Sequence, residues 1–169
     1  MTPQNTDLTP TPAQREQAEK VFQQLCAAFD SYEFRYNTDR NSDGSLVAFG
    51  GCRTGAFATT IIAVVRPQLW LVSFLAKVPC NVPENRRFEM AAAVAQANYN
   101  RHEGNFDYNL RTGDVSWRLT ANYYGCETDT ELYRMLLAKT ATVLEDIGGP
   151  LAAVGEGRIT LAEFCANLP

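Results

Sequence analysis

Between residues 12 and 31 the apolar positions Ala18, Val21, Phe22, Leu25, Cys26 and Phe29 recur every three or four residues. That is the spacing of one buried stripe on a helix. Thr11-Pro12-Ala13-Gln14 supplies its start, with a threonine cap, a proline in the first turn and a glutamine three residues on. Past Ser31 the period shortens to two. Phe34–Thr38, Ser45–Cys52, Ala56–Val65 and Leu69–Ala76 are rich in β-branched and aromatic residues. Asn41-Ser42-Asp43-Gly44, Arg53-Thr54-Gly55 and Arg66-Pro67-Gln68 separate them with turns of hairpin length, which predicts an antiparallel meander.

A second helix opens at Pro83-Glu84-Asn85 and runs to about Arg101, with a stripe of small residues, Ala91, Ala92 and Ala95, between Phe88 and Asn98/Tyr99. Residues 105–110 and 114–123 alternate apolar and polar positions about Thr112-Gly113, the pattern of a hairpin with one wet face. Thr128-Asp129-Thr130-Glu131 reads as a capping box for a third helix, which Gly148-Gly149-Pro150 is expected to stop. From Leu151 a loose segment precedes a short helix at 161–167. The chain therefore divides into a flexible leader (1–11), one domain (12–150) and a C-terminal extension (151–169). The order helix, four strands (the first pair counted as one meander unit or as two), helix, two strands, helix predicts an α+β fold with an antiparallel sheet, not a Rossmann-type alternation.

Two segments are apolar on both sides. Trp70, Val72, Phe74 and Ala76 share one face of their strand, while Leu69, Leu71 and Leu75 share the other. In the third helix Leu132, Leu136, Val143 and Ile147 make one stripe and Tyr133, Leu137, Ala141 and Leu144 a second. A sheet with one wet face alternates more cleanly than this, so a twin subunit, a client or the chain's own tail must cover the extra surface. The expected function is a protein- or peptide-binding module acting as a homodimer, with Trp70, Val72, Phe74, Tyr133, Leu137 and Leu144 as candidate interface residues.

Composition and candidate chemistry narrow the alternatives. The net charge of −4, with no basic cluster beyond Arg86-Arg87, argues against nucleic acid. No apolar run reaches the roughly 18 residues that would span a bilayer, and no signal peptide precedes the first helix. The five cysteines, at 26, 52, 80, 126 and 165, form no CxxC pair. A reducing cytoplasm with the thiols as small hydrophobes is the simple reading.

Asp39-Arg40-Asn41-Ser42-Asp43-Gly44 matches the first half of a calcium loop, but its twelfth position is Gly50 where a bidentate glutamate is needed. Gly157–Phe164 echoes the closing half, with Ala152 and Val154 where ligands should stand. Neither half makes a metal site. His102 is the sole histidine, in a helix-to-strand loop where a solvent-facing or capping role is expected, and no phosphate loop is present. Neither a cofactor nor catalysis is expected. Two other functions remain open: a small-ligand binder or enzyme with a pocket lined by aromatics such as Trp70 and Trp117, and an assembly factor of a specific complex.

Ala97-Asn98-Tyr99-Asn100, then Gly104-Asn105-Phe106-Asp107-Tyr108-Asn109 and Gly113-Asp114-Val115, resemble the YbjN family. The resemblance covers most of residues 13–148. It implies a fold similar to type III secretion chaperones, which are small acidic homodimers that hold unfolded segments of secreted proteins. Some family members are labelled sensory-transduction regulators. The resemblance brings no catalytic residue with it.

Overall fold

A computed structural model describes residues 9–168. Helix α1 (Pro12–Ser31) starts as its sequence dictates: the Thr11 hydroxyl accepts from the Gln14 amide, and the Gln14 side chain accepts in return from the Thr11 N–H. Strands β1 (Asn37–Arg40), β2 (Leu46–Arg53), β3 (Ala58–Arg66) and β4 (Leu71–Val78) follow, then α2 (Arg87–Asn98), β5 (Asn105–Tyr108), β6 (Val115–Asn122), α3 (Thr130–Val143), α4 (Gly149–Gly155) and α5 (Leu161–Ala166). The six strands form one antiparallel sheet in the order β1-β2-β3-β4-β6-β5. The fold is α+β, as the order of elements predicts.

The core lies between one face of this sheet and a layer of helices. Leu46 and Ala48 of β2, Ile61, Ala63 and Val65 of β3, Val72, Phe74, Ala76 and Val78 of β4, and Val115, Trp117 and Leu119 of β6 all point into it and are buried. Helix α1 lies over β2 and β3, α3 over β4 and β6, and α2 over β5. Helix α1 also packs along α3. Both apolar stripes of α3 are therefore used inside the chain, one toward the sheet and one toward its neighbour helices.

Three local expectations change. Gly148-Gly149-Pro150 does not stop the helical path: Leu144–Gly148 forms a π-turn that leads straight into α4. The two glycines are there for proximity, since a Cβ at Gly148 would press on the Phe57 ring and one at Gly149 on Ala56. Proline is tolerated because it falls in the first turn of α4, where its missing N–H has no intrahelical partner to lose. Residues after Leu151 are not loose, for Leu151, Val154 and Phe164 are buried against the core. Of the leader expected over 1–11, residues 1–8 lie outside the described residues, while Pro10 is buried and Thr11 caps α1.

Trp117 is the hub of the β5–β6 end. Its ring packs against Phe106 with centroids 5.1 Å apart, the Arg101 guanidinium lies 5.5 Å over it, and its indole N–H donates to the buried Thr140 hydroxyl at 3.3 Å. Thr140→Val keeps the shape and removes the acceptor. The buried N–H would then be unsatisfied, at a cost of about 1–3 kcal/mol. Urea denaturation reads this, and an unchanged midpoint would show that the bond contributes nothing.

Candidate functional site

The second face of the sheet carries no helix among the described residues. Register places Val47 and Phe49 of β2, Ile62 and Val64 of β3, and Leu71 and Leu75 of β4 on it. Phe49, Ile62 and Leu75 stand in one cross-strand row, with Arg118 of β6 next in line. Ile62 is 36% exposed, and Val47, Phe49, Leu71 and Leu75 are half-buried. On the opposite face the corresponding side chains are essentially sealed. An apolar centre on an open sheet face is the signature of a docking surface.

Charged and polar groups rim this centre. Arg66 donates to the Ser73 hydroxyl at 3.1 Å, and that hydroxyl lies 3.3 Å from the Thr120 Oγ1. Arg118 holds Asp107 through two bonds of 2.7 and 2.9 Å, which keeps the Asp107 carboxyl below the usual carboxylate range. Lys77 pairs with Asp114 at 2.5 Å and depresses it likewise. Arg66 also lies close enough to Asp43 to help hold that carboxyl below its usual range.

A second uncovered surface runs along α2. Met90, Ala93, Val94 and Ala97 are buried, but Phe88 is 80% exposed and Tyr99 70%, with Ala92 and Ala95 exposed between them. The small-residue stripe that the sequence marks for close approach thus faces outward, with an aromatic at each end.

The six side chains predicted as an interface lie elsewhere. Val72, Phe74, Tyr133, Leu137 and Leu144 are all at most 4% exposed and form the chain's own core. Trp70 is half-buried, but it precedes β4 with a left-handed φ of 54° and so drops out of the strand's alternation. Its ring meets Tyr123 and Tyr124 edge-on at the sheet's end. The correction has a simple origin. Both faces of β4 are apolar, and the helices cover the Val72–Phe74 face, which leaves Leu71 and Leu75 for solvent.

The remaining candidates are structural. Asp39–Gly44 makes the β1–β2 turn, where the Asp43 carboxylate accepts from the Ser45 N–H and Gly44 takes a φ of +86°. No three His, Cys, Asp or Glu side chains converge on a metal-sized site among the described residues. Burial pushes the Cys26, Cys52 and Cys80 thiols above their ordinary range, the opposite of nucleophile activation. His102 is exposed. The Tyr123 and Tyr133 hydroxyls are both turned into the protein, and that of Tyr123 has no hydrogen-bond partner among the described residues. Burial is the main cause of their upward shifts, Tyr123 reaching about 12. A trough of about 690 Å³ at the β1–β2 turn is lined by neither tryptophan.

The Asn98 side chain explains part of the sequence resemblance. Its amide accepts from the Phe106 N–H at 2.8 Å and donates to the Phe106 carbonyl at 2.9 Å, tying the end of α2 to β5. Asn100 and Gly104 take positive φ in the turn between them. These residues hold the fold and present no chemistry to a substrate.

No helix among the described residues is long and apolar enough to cross a membrane. The family model of YbjN, described as "Putative bacterial sensory transduction regulator", matches residues 22–149. No curated protein matches the chain.

Proposed function

The chain belongs to the YbjN family, and from that premise we propose that it is a non-catalytic regulator that works by binding another protein as a homodimer. The observation that carries this reading is the uncovered apolar face of β2, β3 and β4. The family's description as a regulator agrees with it, as do the raised thiol pKa values and the structural use of Asn98, Asn100, Gly104 and Phe106 in the family-like motif.

The exposed stripe of α2 supports the dimer. An antiparallel pair of α2 helices with its two-fold axis between Ala92 and Ala95 sets Phe88 of one copy on Tyr99 of the other. Alanines at the crossing let the axes approach to about 8 Å. The stripe is self-complementary, as an isologous interface must be. Such a dimer leaves both sheet faces free for a partner.

Sedimentation equilibrium tests the dimer: the wild type is expected to dimerise, and Ala92→Glu to yield a monomer with unchanged circular dichroism. A wild type that stays monomeric at tens of micromolar would remove the dimer from the proposal. Affinity capture from native cells, with the wild type and Ile62→Asp compared, tests the binding face. Proteins retained by the first and lost from the second are expected. The same set in both would show that the face plays no part.

A further inference from the structure

We infer that the groove between the β2–β3 loop, α4 and α5 receives a short segment of a partner protein in which lysine or arginine alternates with apolar residues. The groove is separate from the open sheet face and neither requires nor excludes a partner there. Its volume is about 530 Å³, in the range of pockets that enclose a small ligand and enough for a few residues of peptide. Pro150, Ala153, Ile159, Phe164 and Leu168 supply apolar wall, and most of the lining lies past residue 149, where the family match ends. The space is open because its central residues are small. Helix α4 meets the loop at Gly149 and Ala56, and neither carries a side chain beyond Cβ to fill the gap. Helix α5, which closes the other side, is only six residues long and is anchored by the buried Phe164.

Charge selects the occupant. Three carboxylates stand on the rim: Glu145 and Asp146 of the π-turn, and Glu163 of α5. None of them is ion-paired with a lysine or arginine among the described residues. Glu145 accepts from the Gly55 N–H at 2.9 and 3.1 Å. Glu163 accepts from the Thr160 N–H at 2.7 Å and from its hydroxyl at 2.9 Å, which holds its carboxyl below the usual carboxylate range. Those donors are neutral. They fix the two carboxylates in place and leave the charges uncompensated. Asp146 is exposed, and its side chain bonds no described residue. Arg158 is the one cation of the lining, and Glu156 already holds it at 2.7 Å.

The spread of that charge favours a segment over an ion. No three of these groups converge on a metal-sized site among the described residues, so they cannot enclose a single cation. A chain of alternating basic and apolar side chains meets rim and wall together. Its cations reach the separated carboxylates, while its apolar side chains and the aliphatic stems of its lysines cover the half-buried Ile159 and Leu168. The same rim repels an anionic lipid surface or a nucleic acid.

The test titrates the full chain into three short labelled peptides and follows fluorescence anisotropy. One peptide alternates lysine with leucine, one glutamate with leucine, and one lysine with serine. The lysine–leucine peptide is expected to bind at least about tenfold tighter than either of the others, and less tightly in high salt. Asp146→Lys should weaken it by at least about tenfold, because that carboxylate supplies charge and holds no structure. Glu127→Lys makes the same change in net charge on the exposed loop before α3 and should leave the affinity unchanged, as should Ile62→Asp. Circular dichroism confirms that each variant is folded. Equal binding of the lysine–serine peptide, or equal losses in Asp146→Lys and Glu127→Lys, would show that only surface charge is felt and would overturn the groove. So would failure of all three peptides to bind the wild type. Loss on Ile62→Asp and not on Asp146→Lys would overturn it and seat the peptide on the sheet face, leaving the reading above standing. Self-association in sedimentation that Asp146→Lys abolishes and Ala92→Glu does not would overturn the partner in favour of a second copy.

Discussion

Trp117→Ala is expected to destabilise the protein by about 3–5 kcal/mol, a large share of the roughly 5–15 kcal/mol typical of a domain. The indole is fully buried and is the largest side chain in the core. Its loss removes the packing against Phe106, the contact with the Arg101 guanidinium and the bond to Thr140 together. Collapse cannot refill the space cheaply. Neighbouring Gly104 is held at φ +68° so close to the indole that a Cβ there would collide with it. That glycine sits in a turn fixed by Asn98 and Phe106, and it cannot follow the receding ring without breaking both bonds. Denaturant unfolding followed by circular dichroism measures the effect. A loss under about 1.5 kcal/mol, the range of a volume-conserving swap, would show that this end of the sheet is not held by the indole.

The same cluster shows how much could be read from the sequence. Residues 105–123 alternate so regularly that the hairpin, its turn and the core-facing Phe106, Val115, Trp117 and Leu119 follow from periodicity alone, while Leu110, apolar in the same pattern, lies past the end of β5 and is exposed. Helix α1 is equally plain, down to its capping box and last residue, because a cap, a proline and one apolar stripe agree. Agreement failed at Gly148-Gly149-Pro150. Two glycines and a proline form a strong local stop signal, and the path continues because Phe57 and Ala56 press against the backbone there. The short strand at 34–38 shifted to 37–40 for a related reason. Phe34 turns its ring onto Phe29, with centroids 5.1 Å apart, and so belongs to the helix-side core before pairing begins.

The candidate site was legible in kind and not in place. Periodicity shows that β3 and β4 are apolar on both faces and that one face needs a cover. It does not say which face the helices take, because that depends on contacts distant in sequence, such as α1 on β3 or α3 on β4. Of the residues assigned to an interface, all but Trp70 became core. The exposed ends of α2 carried a usable signal in the run of alanines between Phe88 and Tyr99.

Adjacent residues on β3 separate the two faces in one experiment. Ile61→Asp places a carboxylate where the side chain is fully buried among Ala48, Ala63 and Ala76 positions facing the helices. An unpaired charge there costs at least about 4 kcal/mol, and the protein should be largely unfolded or recovered only as aggregate. Ile62→Asp, one residue on, points the same group to the open face. Its loss is limited to cross-strand contacts with Phe49 and Leu75, about 1 kcal/mol in all. Thermal unfolding should therefore place Ile62→Asp within several degrees of the wild type, while Ile61→Asp shows no cooperative transition. Equal destabilisation by the two would mean that the second face is covered in the native protein, and the docking surface would have to be sought on α2. A folded Ile62→Asp chain would also establish that any partner it fails to retain is lost for want of the apolar row and not for want of structure.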